Sequence, residues 1–331
     1  MRIRGYEVKK VLMAKGAHKV INVSIGAKPG ERILIITEAS KMSIAESLAA
    51  AAFAAGSEPI ITVMIPREVD GAEPPEPIAA AMLASDAFIC VVGKSITHTN
   101  AVKKAKEGGS RGVVLTQFSE DMMIHGGIEC DFAAIAPECI EFAKVMAGAK
   151  KIHLTTPFGT DLTFSAEGRR GNALYCMVKP GQFSTIPTIE ANVSPLEGTP
   201  NGRIVADASV PYIGIGVLDE PVVCEVKDGF ITSMTGGSQA KRLYEDLLAK
   251  GDPNCFNVAE LGIGLNPNCY FCGFMLEDEG VRGSCHIGIG TSITLGGTVK
   301  AKSHYDLIMT KATVDVDGRI IMKDGVPCIF N

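Results

Sequence analysis

Near the C-terminus the stretch CHIGIGTSITLGGTVKAKSHYD brings His286, His304 and Asp306 together, in a chain of 331 residues that holds only 6 histidines. Imidazole and carboxylate groups together suit Zn2+, Co2+ or Mn2+. His304 and Asp306 are two residues apart, so on a strand both side chains point to one face. That is the geometry of two ligands to one ion. His286 opens HIGIG, where small residues let backbone or substrate approach closely. Two glutamates complete the set, Glu190 in TIPTIEANVSP and Glu260 in NVAELGIGLNP. Glu260 stands inside an apolar run, where an unpaired carboxylate is costly and calls for a cation or a proton. If one carboxylate bridges, these ligands can hold two ions. A His-x-Asp pair alone is more often a hydrogen-bonded surface pair than a metal site, and spacing leaves both readings open.

The elements that must position these residues fall into two textures. Up to about residue 150, strand-like runs (GERILIITEA, SEPIITVMIP, AFICVVG, RGVVLTQF) alternate with helical ones (SKMSIAESLAAAAFAAG, PIAAAMLASD, THTNAVKKAKEGG). This alternation predicts an α/β domain over 1–150, a parallel sheet with flanking helices. No glycine-rich phosphate-binding motif follows its first strand. From 151 to 331 the chain reads as a β-rich α+β domain carrying the metal ligands. Its strands are joined by Gly and Asp-Gly turns, as in VVCEVKDGFITSMTGG and ATVDVDGRIIMKDG. One helix, SQAKRLYEDLLAKG, interrupts them with Leu243, Leu247 and Leu248 as its apolar positions.

Composition narrows the function classes. A hydrophobic fraction of 46%, a charged fraction of 21% and a net charge of −5 describe a folded, mildly acidic protein. Without a basic patch or tryptophan, nucleic acid is not an expected partner. The opening MRIRGYEVKKVLMAKG has no signal-peptide pattern and no run is long enough to span a bilayer. A cytoplasmic protein without membrane association is the expectation. The 10 cysteines are irregularly spaced and read as reduced, packed thiols, including the pair Cys269 and Cys272. His98 in SITHTN, at a strand-to-helix junction, is a candidate catalytic or substrate-contacting residue. Arg169 and Arg170 are candidates for a substrate carboxylate. Glu277 and Glu279 in LEDEG are available acids, although such a charge run reads as a solvated turn.

Three segments, NVAELGIGLNPN, MLEDEGVRGSCHIGIG and SHYDLIMTKATVDVDGRIIMKDG, resemble the aminopeptidase T / aminopeptidase S family of metallopeptidases. The resemblance extends to SITHTNAVKKAKEGGSRGVV, GTDLTFSAEGRR and PLEGTPNGRIVAD. It implies a homodimer whose active sites face an enclosed cavity, with two divalent ions (Zn, Co or Mn) in the C-terminal domain. Glu190 and Glu260 match the family's glutamate ligands, His286 its histidine, and His304 with Asp306 its His-x-Asp. The expected activity is hydrolysis of an amide C–N bond in a short peptide or a small amide or lactam, with Glu190 and Glu260 in the catalytic centre. One departure stands out: the family's catalytic tyrosine, seven residues after the histidine, is Ile293 here, and Tyr270 and Tyr305 are the nearby tyrosines. A second branch of the same fold is similar in length and in its GG turn before His-x-Asp. It comprises non-haem iron dioxygenases that open 2,5-dihydroxypyridine. That branch carries a histidine at the position of Glu260 and lacks counterparts of Glu190 and His286. The alternative reading is thus a ring-cleaving dioxygenase with one Fe2+, for which His286, His304 and Asp306 supply two imidazoles and a carboxylate.

Overall fold

A computed structural model describes residues 8–97 and 99–330; His98 lies outside them. Backbone contacts divide the chain into two compact units, one of Met1–Phe132 with Cys176–Pro187 and one of Ala133–Tyr175 with Thr188–Asn331.

The first unit is the expected α/β arrangement. Its five strands run parallel in the order Glu58–Val63, Arg32–Thr37, Ala87–Val92, Arg111–Thr116, Phe183–Thr185. Ala87–Val92 and Arg111–Thr116 are buried along their whole length, which is why AFICVV and the GVVL within RGVVLT are apolar without alternation. The helices Met42–Ala54, Glu76–Ala84 and Asn100–Glu107 alternate with the strands. Leu34, Ile36, Met82, Phe88 and Val92 belong to one buried cluster of this unit. Gly112 is required there, because a β-carbon on it would lie 2.1 Å from the Phe88 ring.

The second unit is β-rich and antiparallel. An eight-stranded sheet is built largely from hairpins, among them Val222–Lys227 with Phe230–Thr235 and Thr313–Val316 with Arg319–Lys323. Both turn through Asp-Gly pairs with positive φ at each residue (Asp228 48°, Gly229 86°; Asp317 52°, Gly318 86°), the backbone that two-residue hairpin turns demand. The second sheet has seven strands and carries the candidate ligands. Its order is Gly216–Val217, Ser209–Val210, His304–Met309, Cys285–Gly290, Val258–Gly264, Ile189–Val193, Gly171–Tyr175. The helix Ser238–Ala249 forms as expected, with Leu243 and Leu247 buried and Leu248 exposed. A second helix, Phe132–Met146, was not anticipated. Within this unit its Cys139 thiol donates to the Glu190 carbonyl at 3.1 Å. No helix among the described residues is long and apolar enough to cross a membrane.

A candidate metal centre on one face of the seven-stranded sheet

Strand register decides which side chains meet. Glu190 lies opposite Gly264, His286 opposite Gly262, Glu260 opposite Gly288, Asp306 opposite Gly288, and His304 opposite Gly290. Directly opposed residues of an antiparallel pair share a face. All five candidate ligands therefore project from one face, spread over four adjacent strands. The same alternation puts Gly262, Gly264, Gly288 and Gly290 on this face, while Leu261, Ile263, Ile287 and Ile289 are fully buried on the other. These glycines let the ligand rings and neighbouring backbone pack close against the sheet. A β-carbon at Gly288 would stand 2.7 Å from the His304 ring and 2.9 Å from Glu260 Cβ.

The donor atoms form two triplets that share one residue. Glu190, Glu260 and His286 offer ligand atoms within 4.8 Å of one another, and so do Glu260, His304 and Asp306. The set drawn for the alternative reading, His286 with His304 and Asp306, is not one of these triplets; Glu260 takes the linking place because it stands between the two histidine-bearing clusters. The residues fit divalent cations. Glu190 Oε2, His286 Nδ1 and Asp306 Oδ1 are buried with no hydrogen-bond partner among the described residues, whereas buried polar atoms are normally satisfied. His304 is oriented for ligation: its Nδ1 lies 2.8 Å from the Thr291 carbonyl, which can only accept. Nδ1 therefore carries a proton, and Nε2 is the nitrogen left for a cation, facing Glu260 at 3.0 Å and Asp306 at 3.5 Å.

The electrostatics are those of charge packed away from water. Burial, with Glu260 and Asp306 nearby, pushes Glu190 up to about 7 against the pull of His286 and of the Asn192 amide. Burial likewise raises Glu260, against the opposing effect of His304. For His304, burial disfavours the cation, but Asp306 and Glu260 outweigh it and hold the ring well above the usual histidine range. Asp306 is buried too, yet His304, His286 and the Tyr212 hydroxyl keep it below the ordinary carboxylate range.

Tyr212 and Asn192 were missed from sequence, and Glu279 was named there only as an available acid in a solvated turn. The Tyr212 hydroxyl donates to Asp306 Oδ2 and lies 3.1 Å from Glu279 Oε1. Glu279 is buried, and burial together with Asp306 and Glu190 raises it well above an ordinary carboxylate. The Asn192 amide donates to Glu190 Oε1 at 2.7 Å. The expected solvated turn at LEDEG is corrected: Glu277, Asp278 and Glu279 are all buried. Asp278 accepts from the Cys272 and Gly273 backbone amides and from Ser209 Oγ, which replaces the solvation a surface turn would have had. Arg169 and Arg170 are engaged by the chain itself, donating to the carbonyls of Gly296 and Thr294. Tyr305 donates to Asp246 and packs on Tyr212, Tyr270 is exposed, and Ile293 is half exposed. Eight of the ten cysteines are buried.

A family profile described as NicX, 2,5-dihydroxypyridine 5,6-dioxygenase, matches residues 18–328. The 2,5-dihydroxypyridine 5,6-dioxygenase of Pseudomonas putida KT2440 is 23% identical over 159 residues, which is 44% of this chain and 45% of that protein, so the match spans less than half of the relative. Among solved structures, that of 2,5-dihydroxypyridine dioxygenase from Pseudomonas putida KT2440 superposes with a TM-score of 0.79 at 15% identity, covering 96% of each chain. Wild-type AmpT from Thermus thermophilus superposes with a TM-score of 0.72 at 16% identity, covering 96% of this chain and 99% of that one. At these identities both structures speak to the fold alone. The fold shared with AmpT explains the aminopeptidase resemblance, but the expected identity as a hydrolase, aminopeptidase and metallopeptidase is overturned by the profile. The physical reason is that buried imidazoles and carboxylates on this sheet can hold an ion for either chemistry, so ligand types alone do not choose between them. The chain belongs to the 2,5-dihydroxypyridine 5,6-dioxygenase family.

Proposed function

We propose that the protein is a metal-dependent dioxygenase that opens a hydroxylated pyridine ring, with 2,5-dihydroxypyridine as the first substrate to test. The observation that carries this reading is the pair of donor triplets joined through Glu260 on one buried sheet face, in a chain of this family. Glu260, His304 and Asp306 would hold the principal divalent ion, with Fe2+ the first candidate, and Glu190 with His286 would complete an adjoining position. A bound ion of this kind supplies Lewis acidity toward the ring hydroxyls and a path for electrons to dioxygen.

The chain's own residues do the rest. The Thr291 carbonyl fixes the His304 tautomer, and Tyr212 holds one oxygen of Asp306 so that the other faces the centre. Glu279, buried beside Tyr212 and raised well above an ordinary carboxylate, keeps a proton next to the site. Cleavage at the 5,6 bond breaks one C–C bond and the O–O bond and leaves one oxygen on each carbon. The substrate supplies the electrons, and no external reductant is needed.

The test is elemental analysis of protein purified anaerobically, followed by oxygen uptake with 2,5-dihydroxypyridine. Bound iron and stoichiometric uptake, both lost in His304→Ala, are expected. A metal-loaded protein that consumes no oxygen with any dihydroxylated pyridine would overturn the reading.

A further inference from the structure

One loop supplies a backbone carbonyl to each half of the centre. The Thr291 carbonyl orients His304, as described. Four residues on, the Leu295 carbonyl accepts from Asn172 Nδ2 at 3.1 Å. The same Nδ2 donates to Asn192 Oδ1 at 2.8 Å, and Asn192 Nδ2 donates to Glu190 Oε1 at 2.7 Å. A carbonyl can only accept, so Leu295 fixes the polarity of the whole chain. Asn172 must present its amino group, Asn192 must therefore present its carbonyl to Asn172, and its amino group is left for Glu190. Held by Oε1, Glu190 turns its orphaned Oε2 toward the other donors of its triplet.

The loop itself is tied down. Arg169 donates to the Gly296 carbonyl at 3.0 Å and Arg170 to the Thr294 carbonyl at 3.1 Å. Glu197, which also pairs with Arg169, accepts from the Thr298 backbone amide at 2.8 Å and its hydroxyl at 2.9 Å. Gly297 folds back on Ser292, since a β-carbon there would lie 2.2 Å from the serine oxygen.

We infer that the loop 291–298 is the positioning element of the metal centre, with Asn172 and Asn192 as positioning residues that relay its Leu295 carbonyl to Glu190. This rests on the metal centre proposed above. Its consequence is that displacing the loop re-aims a ligand in each triplet at once, His304 directly and Glu190 through two amides. Partners that orient ligands in this way typically matter about 10- to 100-fold in metal affinity.

The experiment is a Co2+ titration of metal-free protein against a competing chelator, read from the visible ligand-field bands, with thermal unfolding of each metal-free variant as the control for folding. Asn172→Ala should weaken Co2+ about 10-fold or more. Asn172→Asp should weaken it further, although it is nearly isosteric, because a carboxylate there repels the Leu295 carbonyl and flips Asn192 so that its oxygen faces Glu190. Adding Asn172→Ala to Asn192→Ala should cost nothing more, since the relay runs through Asn192. Equal losses for Ala and Asp, or additive losses in the double variant, would reduce Asn172 to a packing role and overturn the inference. The cycle of alanine variants decides the matter if the Asp variant fails to fold. Wild-type protein that binds no Co2+ would sink the metal reading instead, a distinct result.

Discussion

Gly262 faces His286 across the antiparallel pair, and the imidazole occupies the space a side chain at 262 would need: a β-carbon there would lie 2.0 Å from Nε2. The ligand's position is thus set by a missing methyl group on the neighbouring strand. Gly262→Ala should force the ring off its rotamer, and small-to-large changes in packed interiors cost roughly 1–3 kcal/mol. The expected outcome is a lower melting temperature together with weaker metal binding at the Glu190–His286 position. An alanine variant that binds metal as wild type does would show that the ring is free to relocate.

Glu260 belongs to both donor triplets, Glu190 and Asp306 to one each. Glu260→Gln should therefore lower metal occupancy across the whole centre, whereas Glu190→Gln should spare the Glu260–His304–Asp306 position. Elemental analysis of the two variants, purified in parallel, distinguishes them. Equal residual metal in both would break the assignment of Glu260 as the shared ligand.

How far the site could be read from sequence follows from whether its residues repeat at strand period. ELGIG and HIGIG place a ligand and then glycines at every second position, and His304 and Asp306 keep the same spacing, so the face could be read directly. The Asp-Gly hairpins were equally legible, because positive φ at two successive residues restricts the choice of residue. Tyr212 was not legible. It lies 94 positions from Asp306, in a short loop whose sequence carries no polar pattern around it. Glu279 was misread because consecutive acids normally seek water, and only the tertiary structure shows their buried donors. The helix Phe132–Met146 contains Pro137, a residue that ordinarily ends helices rather than sitting inside them. The reaction was misread for a different reason: a ligand set names the ions it suits, not the bond they act on.

Tyr212 joins two buried carboxylates, donating to Asp306 and lying 3.1 Å from Glu279. Tyr212→Phe keeps the ring against Tyr305, where the centroids are 4.9 Å apart, and deletes only the hydroxyl. Leaving a buried acceptor without its donor costs about 1–3 kcal/mol. The metal-free variant should melt lower than wild type. Asp306, free to rotate, should bind metal about 10- to 100-fold more weakly. If the melting temperature falls while metal affinity stays unchanged, the hydroxyl stabilises the fold without orienting the ligand.

Glu190 couples the fold to pH in the metal-free protein. Burial first, then Glu260, raises it from 4.5 to about 7, while His286 and Asn192 pull the other way. The native state therefore holds a proton that the unfolded chain releases. The stabilisation this gives is complete below about 4.5, the unfolded value, and is lost as pH rises through about 7. A cation requires the ionised carboxylate, so metal affinity must run in the opposite direction and increase over the same window, with proton release on binding. Melting temperatures of metal-free protein and Co2+ affinities, both taken across that window, should show opposed slopes in wild type. Glu190→Gln, which cannot titrate, should flatten the contribution of this group to both, and identical pH profiles for the two proteins would show that Glu190 does not titrate there.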